Sequence, residues 1–98
     1  MFIIGIDPHK GSHTAAVIDR DEQLVSELSV QADRRQRDRL LRWAAPFAPR
    51  LWAVEGATGV GAFLAQQLVG AGETVVDVPA VLCDASAKDA RNATRSAA

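Results

Sequence analysis

The stretch FIIGIDPHKGSHTAAVID, residues 2–19, contains two apolar runs separated by a short polar segment. The first run is rich in β-branched residues and stops at Pro8, which is typical of a β-strand. The second run follows after a very short link, and this spacing predicts an antiparallel hairpin. A carboxylate, Asp7, therefore stands at the very end of the first strand, with His9 and Lys10 directly after it.

After the hairpin, a polar turn leads into a third strand and a first helix. The turn covers residues 19–22, and the loosely alternating segment 23–30 predicts the strand. Asp33 is suited to cap a helix and Gln36 follows three residues later, so a helix is expected to begin there. Its apolar face has the spacing i, i+4 and i+7 and consists of Leu40, Ala44 and Phe47.

A second helix is predicted between two further strands. LWAV is a short buried-type strand that ends at Glu55, and ETVVDV supplies a fifth strand. Thr58 is expected to cap the helix between them, and Gly70 or Gly72 to close it. The predicted apolar stripe of this helix consists of Val60, Leu64 and Leu68.

The predicted order is therefore β-β-β-α-β-α-β in one α/β domain over residues 2–82. Three antiparallel strands followed by two helix–strand units match the ribonuclease H-like arrangement, with a five-stranded mixed sheet. In that arrangement the first strand lies beside the fourth and parallel to it. Asp7 and Glu55 are then expected to be neighbours at one edge of the sheet.

Composition and charge exclude several classes of protein. The chain has 98 residues, 48% of them hydrophobic, and a formal net charge of −1, which indicates a globular rather than a disordered protein. No apolar run approaches the roughly 20 residues needed to span a bilayer. The single cysteine, Cys83, favours a reducing, cytoplasmic environment. The near-neutral charge argues against a compact DNA-binding module, but not against a nucleic-acid enzyme whose basic surface lies elsewhere.

Two blocks of the sequence resemble the DEDD-type transposases of the insertion sequence 110 family. The block GIDPHKGSHTAAVID resembles the family's opening G-x-D-x-H-K motif through Gly5, Asp7, His9 and Lys10. The block WAVEGATGVGAFLAQQLVGAGETVVDVPA resembles its second motif, an acidic residue before a Thr-Gly helix start, through Glu55, Gly56, Thr58 and Gly59. The resemblance covers about residues 2–80.

This resemblance implies an activity and a set of partners. Family members combine an N-terminal RuvC-like domain, which carries four acidic residues, with a C-terminal domain that carries a nucleophilic serine. They act as RNA-guided DNA recombinases, which implies metal-dependent DNA cleavage and strand transfer, with DNA, guide RNA and further protomers as partners of the full-length protein. The chain is expected to be a truncated N-terminal fragment that is inactive alone.

The resemblance also implies catalytic metal ligands, namely Asp7, Glu55 and Asp89. Carboxylates suit Mg²⁺ or Mn²⁺, which neutralise charge on the transferred phosphate. Asn92 stands where the family's fourth acid is expected, so metal binding should be weak, and Asn92→Asp should strengthen it only if the tail folds back to Asp7. Residues 83–98 are expected to be a poorly ordered tail or sequence unrelated to the family.

Other interpretations of the same residues stay open. In isolation, Asp7 before a proline is a turn former and Glu55 a surface residue. His9, Lys10 and Thr58 are candidate nucleic-acid contacts, although Lys10 is equally well explained as a solvated turn residue.

Two other protein classes fit part of the pattern. One is the N-terminal lobe of an actin-like ATPase or sugar kinase, which also opens with apolar-G-I-D and a hairpin. Those lobes usually place Gly and Thr or Ser after the aspartate to wrap phosphates, whereas Pro8, His9 and Lys10 fill the turn here. The other is a non-catalytic domain that binds nucleic acid or a protein partner.

Overall fold

The computed structural model describes residues 1–79, which form five strands and two helices. In chain order the elements are β1 (Phe2–Pro8), β2 (Ser12–Ile18), β3 (Leu24–Gln31), α1 (Gln36–Ala44), β4 (Arg50–Glu55), α2 (Ala62–Gly70) and β5 (Val75–Val78). The predicted element order is confirmed. The predicted tail, with Asp89 and Asn92, lies outside the described residues.

The strands form one mixed sheet in the order β3-β2-β1-β4-β5. β1 pairs antiparallel with β2, and β2 with β3, because short turns join them. β1 pairs parallel with β4, and β4 with β5, across the two helices. β1 is therefore the central strand, as the ribonuclease H-like prediction requires.

Alternate residues of the central strands form the core on one face of the sheet. Ile4 is fully buried and lies opposite Val17 on β2 and Trp52 on β4. The two helices contact each other, while α1 also contacts β3 and α2 contacts β5. The helices contribute four buried residues to the core, as their spacing predicts, namely Leu40, Ala44, Leu64 and Leu68. Among residues 1–79, neither helix combines the length and hydropathy needed to cross a membrane.

α1 begins later than the capping pattern predicts. Asp33 is not its N-cap, because its Oδ1 accepts a hydrogen bond from the Arg35 amide (2.9 Å) in a turn before the helix. Gln36 does not complete a capping box with Asp33. It is the first residue of the helix, and its buried side chain is hydrogen-bonded to His13 and Gln67 instead. The predicted helix is confirmed, but the start predicted at Asp33 is wrong, because α1 begins at Gln36, whose side chain these two hydrogen bonds hold in the interior.

α2 also begins later than predicted, at Ala62 instead of near Thr58. The chain turns first, with the amides of Gly59 and Gly61 both donating to the Gly56 carbonyl (2.8 and 3.0 Å). Val60 lies in this turn with 70% of its surface exposed, so it does not belong to the apolar stripe.

At its other end, α2 is followed by a glycine in the left-handed region. Gly72 has φ +87°, and its amide donates to the Val69 carbonyl (2.9 Å). A residue without a Cβ takes this conformation without steric cost, so Gly72 is the residue that closes the helix.

A polar cluster ties the start of β4 to the segment before β5. Nε of Arg50 and Nε1 of Trp52 both donate to Oε1 of Glu73 (2.8 and 2.6 Å), and Nη2 of Arg50 donates to Oε2 (3.1 Å). Burial raises the pKa of the Glu73 carboxyl, but these hydrogen bonds and the charge of Arg50 outweigh it and hold the pKa below its ordinary value.

We expect Glu73→Gln to lower the free energy of unfolding by about 2 kcal/mol at neutral pH, because hydrogen bonds to a charged group are lost. A carboxyl whose pKa is lowered by folding stabilises the fold above its unfolded pKa. That stabilisation is lost as the pH falls through the folded pKa, which lies below the ordinary glutamate value, so the penalty should shrink in acid. Urea unfolding at neutral and at acidic pH measures this. Glu27→Gln, at an exposed residue, is the control, and an undiminished Glu73→Gln penalty in acid would contradict the assignment.

Candidate functional site

Asp7 and Glu55 lie at the same end of two neighbouring parallel strands. The last residues paired between β1 and β4 are Ile6 and Val54, and the next residue on each strand is one of the two carboxylates. The carboxyl ends of parallel strands meet at one edge of a sheet. The structure therefore brings the two residues to the same edge, where the predicted fold places them.

The two carboxylates have different surroundings. The Asp7 side chain is half-exposed, and its Oδ2 lies 3.2 Å from Nε2 of His9, which is itself half-exposed. An exposed pair of this kind contributes at most about 1 kcal/mol, so it orients the groups more than it stabilises the fold. Glu55 is buried and only 7% exposed.

β5 holds the turn after Glu55. Gly56 has φ +61°, and its amide donates to the Val78 carbonyl (2.9 Å). The next amide, of Ala57, donates to Oδ1 of Asp77 (2.7 Å). Asp77 was not predicted as a site residue, although it is a carboxylate near the end of the predicted fifth strand and could have been expected near Glu55 on that ground. Asp77 thus helps to fix the backbone directly after Glu55.

Gly61 lets the start of α2 approach the ends of β1 and β4 closely. A Cβ at this position would lie 2.9 Å from the Glu55 carbonyl oxygen, 2.9 Å from Cγ1 of Val54 and 3.2 Å from Cγ of Pro8. Only a glycine fits such an approach, so this residue sets how near the helix comes to the two carboxylates.

A chain of polar side chains runs through the interior beside this edge. Nε2 of His13 lies 2.8 Å from Oε1 of Gln36, and Nε2 of Gln36 donates to Oε1 of Gln67 (2.6 Å). His13 is 4% exposed and Gln36 2%. The chain joins β2, α1 and α2. Sequence reasoning missed it, although His13 alternates with the buried Ala15 and Gln36 precedes Leu40 by one helical turn.

A cavity of about 430 Å³ lies between the β1–β2 turn, the start of α1 and the start of α2. Two predicted nucleic-acid contacts, His9 and Lys10, line it. The third, Thr58, is exposed in the turn before α2 and is not among the lining residues. The remaining lining residues are His13, Ala32, Asp33, Arg34, Gln36, Val60, Phe63 and Leu64.

Asp7 and Glu55 are the two predicted metal ligands that lie within the described residues. Within residues 1–79, no group of three His, Cys, Asp or Glu side chains is arranged to hold an ion. Asp7 and Glu55 offer oxygen donors alone, which fits Mg²⁺ or Mn²⁺, and Mg²⁺ commonly binds through one or two carboxylates together with water and substrate phosphates. The donor set therefore fits a divalent cation whose coordination is completed by other groups.

Comparisons with known proteins agree with this geometry. Residues 4–96 match the family model of the insertion sequence 110 DEDD transposases, described as Transposase. No curated protein sequence matches the chain.

Two solved structures share the fold. A structure of T. thermophilus RuvC in complex with Holliday junction substrate has a TM-score of 0.61 at 20% identity, covering 81% of this chain and 65% of that one. The fowlpox virus Holliday junction resolvase has a TM-score of 0.54 at 12% identity, covering 81% of this chain and 61% of that one. The matched part of the chain thus spans less than two thirds of either protein, and the ribonuclease H-like prediction is confirmed.

Proposed function

Since the chain belongs to the insertion sequence 110 family of DEDD-type transposases, we propose that it is the metal-dependent nuclease domain of a DNA recombinase. The observation that carries this proposal is the parallel register of β1 and β4, which sets Asp7 and Glu55 at the same end of neighbouring strands. The similarity to two Holliday junction resolvases supports the same fold for the domain.

The two carboxylates would have complementary roles. Asp7 and Glu55 would hold Mg²⁺ or Mn²⁺, which supplies charge neutralisation at the scissile phosphate. Asp7 is exposed enough to face a DNA strand, and His9 orients it. The buried Glu55 is fixed by its strand and by the turn that Asp77 holds. Asp89 is proposed as a third ligand.

The partners proposed for the full-length protein are DNA, guide RNA and further protomers, at a cytoplasmic location. We expect the 98-residue chain tested by itself to catalyse no strand exchange, because within residues 1–79 no group of three His, Cys, Asp or Glu side chains is arranged to hold an ion. Branched DNA is the natural test substrate, because T. thermophilus RuvC was solved with a Holliday junction.

We expect the unmodified chain to bind Mg²⁺ weakly. Asp7→Asn should lower the Mg²⁺ affinity about tenfold or more, because removing a direct ligand should reduce affinity by more than removing a residue that only orients a ligand. Calorimetric titration with Mg²⁺ measures both affinities. Asp21→Asn removes a similar carboxylate from the exposed β2–β3 turn and is the control. Mg²⁺ binding that is indifferent to Asp7→Asn, or strand exchange by the chain alone, would overturn the proposal.

A further inference from the structure

We propose that the cavity beside Asp7 binds one unpaired nucleotide of a nucleic-acid strand. This rests on the proposed function, since it specifies which part of the substrate or guide this side of the site would hold. His9 connects the two places, because it lines the cavity and also contacts Asp7. A strand whose phosphate lies at the carboxylates therefore has an adjoining nucleotide within reach of the cavity.

One wall of the cavity is an exposed aromatic surface. Phe63 on α2 is 63% exposed, and Val60 beside it is 70% exposed, although both are large apolar residues. Single-stranded nucleic acids bind proteins largely by stacking bases on such side chains. In a duplex both faces of a base are covered by its neighbours, so stacking on Phe63 selects an unpaired base.

The lining of the cavity also carries positive charge. Lys10 and Arg34 line it and are exposed. Asp33 also lines it, but its Oδ2 lies 3.4 Å from Nη1 of Arg39, and its Oδ1 accepts from the Arg35 amide. The two cations are thus suited to a backbone phosphate, and the cavity volume of about 430 Å³ suits a small organic group such as a base.

One of the lining residues, His13, is buried and has a ring nitrogen without a hydrogen-bond partner among residues 1–79. Oε1 of Gln36 accepts from Nε2 of His13, because the Gln36 amide nitrogen donates to Gln67. An imidazole that donates through Nε2 alone presents a hydrogen-bond acceptor at Nδ1. Nδ1 of His13 is shielded from water and has no hydrogen-bond partner among residues 1–79, an unfavourable state that an N–H group on the edge of a base would relieve.

The test is binding of fluorescent 12-nucleotide strands to the full chain in EDTA, so that the metal site plays no part. DNA and RNA single strands are compared with the DNA duplex of the same length. We expect a single strand to bind about tenfold more tightly than the duplex, and Phe63→Ala to weaken that binding about tenfold. Comparing DNA with RNA identifies which nucleic acid supplies the nucleotide.

Two matched controls and one direct readout complete the experiment. Val69→Ala removes an exposed apolar side chain from α2 outside the cavity, and Arg37→Gln matches Arg34→Gln on the neighbouring surface. We expect Arg34→Gln alone to reduce the slope of log affinity against log salt, by about 0.7. The ¹⁵N resonance of His13 Nδ1 should shift when the single strand binds.

Equal affinities of Phe63→Ala and Val69→Ala, or an unmoved His13 resonance, would overturn the pocket and leave the metal proposal standing. Mg²⁺ affinity that is unchanged by Asp7→Asn, measured without nucleic acid, would instead overturn the nuclease proposal. The two failures are therefore distinguishable.

Discussion

Trp52→Ala is expected to lower the free energy of unfolding by about 3–5 kcal/mol, the largest effect of any single substitution considered for this domain. Trp52 is fully buried, and it lies on β4 between Ile4 of β1 and Val75 of β5. Its removal leaves a large cavity in the middle of the sheet and takes one hydrogen-bond donor from Glu73. Because so small a domain has only a modest core, the variant should be largely unfolded at physiological temperature.

Urea unfolding followed by circular dichroism measures the loss. Trp43→Ala makes the same chemical deletion at a partly buried position, where the indole packs on Phe47 (ring centroids 5.4 Å apart) and donates to Ser26 Oγ (3.0 Å). We expect a clearly smaller loss there. Equal losses for the two tryptophans would contradict the central place of Trp52 in the core.

Gly61→Ala is expected to cost about 1–3 kcal/mol and to disturb the candidate site. The new Cβ would lie 2.9 Å from the backbone oxygen of Glu55, which cannot move aside as a flexible side chain would. The start of α2 must then shift away from the ends of β1 and β4. Mg²⁺ affinity should therefore fall together with stability.

Gly70→Ala is the matched control for this prediction. A Cβ at Gly70 meets nothing within 4 Å, so alanine should be neutral or stabilise the helix by up to about 1 kcal/mol. Thermal unfolding and amide chemical shifts of Asp7 and Glu55 distinguish the two variants. A Gly61→Ala protein as stable as Gly70→Ala, with unshifted Asp7 and Glu55 amides, would show that the close approach has no structural role.

The strands and the position of the two carboxylates could be predicted because local signals give the order of elements, and that order matches a known arrangement. Pro8 stops the first apolar run, the short link forces an antiparallel hairpin, and the order of later elements allows few topologies. Once β1 lies beside β4, residues that end each strand must meet. The pairing of β1 with β4 itself is not a local signal, and it was predicted by matching the element order to the ribonuclease H-like arrangement.

The helix starts and the cavity could not be predicted because they depend on contacts distant in sequence. Asp33 and Thr58 satisfy the local capping rules, but Gln36 is held by His13, 23 residues away, and Gly61 by the ends of two strands. Val60 has helical spacing from Leu64, yet it lies in the preceding turn and stays exposed. Asp89 as a metal ligand, and the boundary near residue 82, stay predictions.

The pairing of β1 with β4 also has a consequence for the order of folding. The β1–β2–β3 meander closes through short loops and can form early, whereas Ile6 meets Val54 only after a third strand and a helix have been synthesised and folded between them. Asp7 therefore has no neighbouring Glu55 in a nascent or half-folded chain. The two strand ends that carry Asp7 and Glu55 are thus brought together only when the domain is complete.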